Sequence, residues 1–404
     1  MKVVVAHHLW SRVGGGELVC AYVVKTLLEA GHSVAIASCF GFDKEKYREW
    51  FGIELENVKV YSFLPKMLPL FGIYQRLGMF VPLRRAIRKE DPDVVFVDNE
   101  LYKPVLKLKK QRGFKLIEYI HFPFHALKMR EAPEEFREAF ERYLSDARMY
   151  HAKYERGLWR YYFGLWLKLY SLVARDNPFE CADVVLANSR YIARLVKMLW
   201  GDEPRVLHPP VRVRDFAERC RKDFGERDDA VVMIGRISPE KRIEIVIEAL
   251  ALSETKPVLR IVGGLIPTTV PYKEKLEKLA KERGVEIEFY TNVPRSELVR
   301  IATSSKVFVH ATVGEHFGIA VVEAMAAGCP VIVHRSGGPY EDIVDRGRYG
   351  LHFETPEELA KHIDRLMSSE KLWRFYHEKS LMRAKQFSEE EFARKLLEVV
   401  ERGA

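Results

Sequence analysis

The chain has 404 residues, 48% hydrophobic and 30% charged, which suits two or three domains with real cores and excludes bulk disorder. Its longest stretch without Asp, Glu, Lys or Arg, Ala30–Phe42, has 13 residues, where a membrane span needs about 20. The net charge of +8 is uneven: residues 1–200 carry 32 Lys and Arg against 23 Asp and Glu, and residues 201–404 carry 33 against 34.

Met1–Ala6 reads as a first strand, not a signal peptide. The first half then alternates strand patterns (Lys2–His7, Ser33–Ser38, Val58–Phe63, Asp93–Asp98, Lys115–His121, Ala182–Ala187) with helical ones. Continuous apolar runs such as Val94–Val97 suit strands covered on both faces. Phe124–Asn177 breaks the rhythm with a long helical pattern rich in Arg, Tyr and Trp. The second half places strands at Ala230–Ile234, Val258–Val262, Glu286–Tyr290, Lys306–Ala311, Pro330–His334 and Gly350–Phe353, with helices between. Strictly alternating strands and helices make parallel sheets. The fold class is α/β: two Rossmann-like domains, 1–205 and 206–384, facing each other across a cleft. The closing helix, within 385–404, is expected to pack back on the first domain.

Five scattered cysteines with no C-x-x-C read as single thiols in a reducing compartment. Five Asn and three Gln in so long a chain suggest a thermophilic source.

In open parallel sheets, ligands sit beyond the carboxyl ends of strands, so the strand-following loops come under scrutiny. The first is Gly14-Gly15-Gly16-Glu17, a glycine turn opening a helix, suited to phosphate or sugar or simply to turning. After Ala230–Ile234 comes Gly235-Arg236-Ile237-Ser238-Pro239-Glu240-Lys241. Two cations at a helix start disfavour the helix unless an anion sits there; Arg236 offers a planar fork and Lys241 a mobile point charge. After Lys306–Ala311 comes Gly314-Glu315-His316-Phe317-Gly318-Ile319, leading to Glu323. A helix starting near Gly318 leaves Glu315 in the loop and Glu323 inside, with first-turn N–H groups aimed at an anion between them. Glu323, between Val322 and Ala324, is expected to be buried and so to need partners. His121 reads as a core histidine, Asp91-Pro92-Asp93 as a proline turn, and His7-His8 as strand-end packing with no metal partners nearby.

Glu315-(seven residues)-Glu323, Gly235-Arg236 with Lys241, and the glycine-rich first loop resemble the retaining nucleotide-sugar glycosyltransferases of the GT-B fold. Glu315–Pro339, Tyr119–Pro123, Asn188-Ser189 and His208-Pro209-Pro210 resemble, more narrowly, the dolichol-pathway α-1,2-mannosyltransferases. The resemblance implies transfer of a hexose, with GDP-mannose favoured as donor, onto a lipid-linked glycan on the cytosolic face of a membrane. It assigns Arg236 and Lys241 to the donor diphosphate, Glu315 to the transferred sugar and Glu323 to the ribose. His316 falls within the same donor loop, and Phe317, Gly318 and Ile319 offer N–H groups to phosphate and sugar. Gly15 and Gly16 approach the diphosphate, Asn292 and Val293 the base, and His121 the reacting sugar. No cofactor or metal is implied, since fixed cations replace a metal. A UDP-sugar transferase of the same fold and a sugar-nucleotide 2-epimerase are the alternatives.

The basic surplus is expected to face an anionic membrane, which makes the protein peripheral, rather than nucleic acid. Tyr61–Lys89 holds six Lys and Arg and no Asp or Glu, and Gly157–Val173 adds aromatic residues among cations; both suit a membrane interface.

Overall fold

The computed structural model describes residues 1–11, 14–66, 72–98, 101–123, 158–175, 177–220 and 223–401. It divides into two compact units: Met1–Pro210 with Phe392–Ala404, and Val211–Glu391.

The first unit is built on seven parallel strands: β1 (Lys2–Ala6), β2 (Ser33–Phe40), β3 (Lys59–Leu64), β4 (Val94–Asp98), β5 (Lys115–Ile120), β6 (Val184–Ala187) and β7 (Arg205–Val206). They run in the order β3-β2-β1-β4-β5-β6-β7. The two-residue β7 is too short to show in the sequence pattern. Period-two alternation splits the apolar residues between the faces. Val3, Val5, Phe96, Ile117 and Tyr119 face the helix Gly15–Glu29. Val4, Val95, Val97 and Leu116 share the other core with helices Phe80–Glu90 and Lys103–Arg112. The helix Glu389–Glu401 adds Phe392, Leu396 and Val400 to the first of these cores.

The second unit has six parallel strands: β8 (Asp228–Ile234), β9 (Val258–Gly263), β10 (Ile287–Thr291), β11 (Ser305–His310), β12 (Val331–His334) and β13 (Leu351–Phe353). Their order is β10-β9-β8-β11-β12-β13. The strand order reverses between β1 and β4 in one sheet and between β8 and β11 in the other. At such a switch point neighbouring loops diverge to opposite faces and leave a crevice at the carboxyl ends.

One expected membrane segment, Tyr61–Lys89, spends much of its apolar surface internally. The helix Phe80–Glu90 buries Pro82, Leu83, Ala86 and Ile87 and leaves Arg85, Arg88 and Lys89 exposed. Its residues 67–71 lie outside the described residues, as do residue 157 and most of Phe124–Asn177. No described helix is long and apolar enough to cross a membrane.

Candidate active site

At the carboxyl edge of the second sheet, β8 runs into Gly235 with φ +150°. A side chain on Gly263 would put its Cβ 1.7 Å from the Gly235 carbonyl oxygen, so only glycine lets these two loops touch. The chain continues through a single 3-10 turn, Pro239–Lys241, and left-handed Arg242 (φ +51°) before the helix Ile243–Leu252 starts. Lys241 therefore lies in a turn ahead of the helix, not in its first turn as the sequence suggested. Its stem passes under Gly235, and Nζ lies 3.0 Å from Glu315 Oε2. Arg236 stands over the same loop, 3.4 Å from Glu240.

Glu315 lies between β11 and the helix Ile319–Ala326, whose start is set by left-handed Gly318 at φ +103°. The Glu315 loop is clamped from β12. The Gly338 N–H donates to the Glu315 carbonyl over 2.7 Å. The Gly314 N–H donates to Ser336 Oγ over 2.9 Å, and that hydroxyl in turn lies 2.8 Å from His334 Nδ1. A Cβ on Gly337 or Gly338 would stand 2.4–2.5 Å from backbone of residues 315 and 316. His310, at the end of β11, puts Nε2 3.6 Å from Glu315 Oε2. Phe317 is buried against Phe387.

Glu323 is buried, and the structure supplies a partner the sequence did not: Arg295 Nη1, 2.9 Å away. Arg295 also holds Asp215 at 2.5 Å and stacks on Phe216. Asn292 is left-handed (φ +53°). Its amide group exchanges two 3.1 Å hydrogen bonds with the Leu265 backbone, which ties the loop after β10 to the loop after β9. Val293 packs against the core of this unit.

The carboxyl edge of the first sheet is built differently. β1 leads into His7, β4 ends at Asp98 and β5 leads into His121, on three adjacent strands. His7 Nδ1 is hydrogen-bonded to Asp98 Oδ2, and His121 Nε2 is 2.9 Å from Asp98 Oδ1. Gly16, in the first turn of the Gly15–Glu29 helix, lies over them: a Cβ there would be 3.4 Å from His7 and 3.5 Å from His121 Nε2. Burial opposes charge on His7, but Cys20 and Asp98 outweigh it and hold the imidazole well above its ordinary pKa. Burial itself pushes the Cys20 thiol up to about 12. The thiol is therefore neutral, and the carboxylate is the anion His7 faces. Burial likewise disfavours the Asp98 carboxylate, yet His121 and His7 keep it below the usual range.

The reading of His7 as having no metal partners nearby is corrected here: His7, Cys20 and Asp98 come within coordinating distance of one another, although His7 Nδ1 is committed to Asp98. Asp91-Pro92-Asp93, read as a proline turn, serves structure alone. Asp91 ends a helix and Asp93 accepts the Lys2 N–H over 2.7 Å. Sequence reasoning missed Asp98, Arg295, His310 and the Ser336–Gly338 clamp. The sequence string Ser336-Gly337-Gly338-Pro339 held the one available signal, paired glycines just after a strand.

This geometry matches what comparison with known proteins returns. Residues 216–398 match the family "Glycosyl transferases group 1", and residues 13–215 match "Glycosyltransferase Family 4". The two-sheet frame is that of GT-B transferases. At 18% identity, the structure of Anabaena Alr3699/HepE in complex with UDP and glucose aligns over 99% of both chains with a TM-score of 0.65. Sucrose-phosphate synthase from Thermosynechococcus elongatus, also at 18%, covers 99% of this chain and 98% of its own with a TM-score of 0.69. The chain belongs to glycosyltransferase family 4 and is a glycosyltransferase. Among curated proteins it is 28% identical to the GDP-Man:Man(3)GlcNAc(2)-PP-Dol alpha-1,2-mannosyltransferase of Xenopus laevis, over 91% of this chain and 80% of that one. The Homo sapiens protein of the same name is 28% identical over 87% and 75%.

Proposed function

We propose that this enzyme moves mannose from GDP-mannose, with retention, onto a lipid-linked oligosaccharide. Similarity to the mannosyltransferases over nine-tenths of the chain supports the donor and acceptor class. The Lys241–Glu315 pair at the β8/β11 switch point carries the chemistry. Lys241 and Arg236 neutralise the diphosphate as the bond to the sugar breaks. The N–H groups of Phe317, Gly318 and Ile319 add to that field. Electrostatic stabilisation of this kind contributes about 3 kcal/mol per donor. The leaving phosphate oxygen takes the acceptor hydroxyl's proton on the face it departs from, which gives retention. Glu315 faces the transferred sugar, and Glu323, held by Arg295, takes the ribose. Gly15 and Gly16 line the diphosphate, Asn292 and Val293 the base, and His121 the sugar. Two fixed cations make a metal unnecessary.

The acceptor's lipid calls for a membrane surface. The helix Leu158–Val173 offers one. Tyr161, Leu165 and Leu172 are 77%, 53% and 68% exposed. With Lys168 they recur at helical spacing along one face, while Trp166 and Tyr170 pack inward.

The test is mannosyl transfer by Glu315→Gln and Lys241→Ala. Each should fall about a hundredfold with an unchanged melting curve. Full activity in either variant sinks the assignment. Stabilisation against heat by GDP-mannose but not by UDP-sugars identifies the donor; the reverse pattern removes mannose from the reading.

A further inference from the structure

We infer that Asp98 is a positioning residue that acts through His121, an inference that rests on the reading of His121 as a ligand of the transferred sugar. Asp98 is almost wholly buried. A carboxylate can remain charged there only if its charge is met. Three neighbouring strands supply that match. Oδ2 holds His7 Nδ1, and Oδ1 stands 2.9 Å from His121 Nε2. By angle neither of the latter two atoms has a hydrogen-bond partner among the described residues, but at 2.9 Å a lone pair on each would repel, so a proton stands between them.

A specific chemical state follows for His121. Its Nε2, 2.9 Å from the carboxylate, carries the proton, and Nδ1 is the nitrogen left for a ligand. In the neutral ring that atom accepts a hydrogen bond, so it selects a donor such as a sugar hydroxyl. Flipping the ring would face the carboxylate with the other edge and abandon the contact. The backbone is fixed as well: Asn188 Nδ2 donates to the His121 carbonyl over 3.2 Å. The first turn of the Gly15–Glu29 helix lies above, its positive end favouring the carboxylate's charge. Asp98 touches no ligand in this scheme. It sets which atom of His121 does.

Two measurements test this. In protein with ¹⁵N-labelled histidine, the neutral His121 ring should carry its proton on Nε2; a proton resident on Nδ1 overturns the proposal whatever the activity. The second is a double-mutant cycle on mannosyl transfer. Asp98→Asn should lower kcat at least tenfold while the donor KM moves less than threefold. In a His121→Ala background the same change should have no further effect. A purely structural Asp98 would multiply the two losses, and that outcome refutes the positioning role. Full activity of His121→Ala, with the tautomer as stated, refutes instead the reading of His121.

Discussion

The carboxyl edges of the two sheets solve different problems. In the first unit, left-handed residues sit where helices stop: Gly31, Gly52, Asp91, Gly113 and Gly201. All five precede strands, on the amino side of the sheet. Its carboxyl edge is held instead by side chains, the His7–Asp98–His121 cluster. The second unit has left-handed residues ahead of its strands too (Lys256, Gly284, Gly328, Asp345, Arg346 and Gly347), but it adds six in loops that follow strands, where the described residues of the first unit show none: Gly235, Arg242, Asn292, Gly314, Gly318 and Gly337. Unusual backbone in loops that follow strands marks where those loops must approach something closely. One edge is pre-paired and the other pre-shaped.

Substitution at the contact between glycines should break this contrast most severely. Gly263→Ala drives a Cβ into the Gly235 carbonyl and should cost about 3 kcal/mol or more, read by urea denaturation. Native-like stability would show that the second edge is not built on close approach.

Acid should come next. Burial, with Arg242 and His310, holds His334 down to about 4. The neutral ring can then accept from Ser336, whose oxygen accepts from the Gly314 N–H. Because the unfolded ring takes up its proton near 6.5, stability should fall as pH drops from about 7 to 4, by at most about 3 kcal/mol, and then level off. His334→Gln should flatten that slope. A variant with the native slope would place the sensitivity elsewhere.

The smallest effect is expected at the first edge. Gly16→Ala meets neighbours only at 3.4 Å and beyond, in a helix that favours alanine. Its unfolding free energy should stay within about 1 kcal/mol of the parent's. A larger loss would mean that the first edge is as dependent on glycine as the second.

Much of this was legible in the sequence because its signals are local. Val94–Val97 announces two-sided burial, the Gly14–Gly16 run announces a turn into a helix, and Gly318 announces where a helix starts. Glu315 and Glu323 could be picked out from eight residues of spacing and an apolar helix. The missing parts are pairings across space. Asp98 meets His7 across 91 residues, and it looked like the last residue of a strand. Arg295 reaches Glu323 from another helix. Lys241 was placed in a helix because nothing in Lys241-Arg242-Ile243 signals that Arg242 turns left-handed.

The closing helix carries a consequence for how the chain is made. Phe392, Leu396 and Val400 complete the core of a unit whose other strands are finished by Val206. A ribosome adding about 5–20 residues per second needs about 10–40 s to pass from Pro210 to those three side chains. Until then the first unit is born with an apolar groove over the Gly15–Glu29 side of its sheet, which closes only as the second unit, ending at Glu391, is itself completed. A fragment ending at residue 210 would be caught in that same unfinished state.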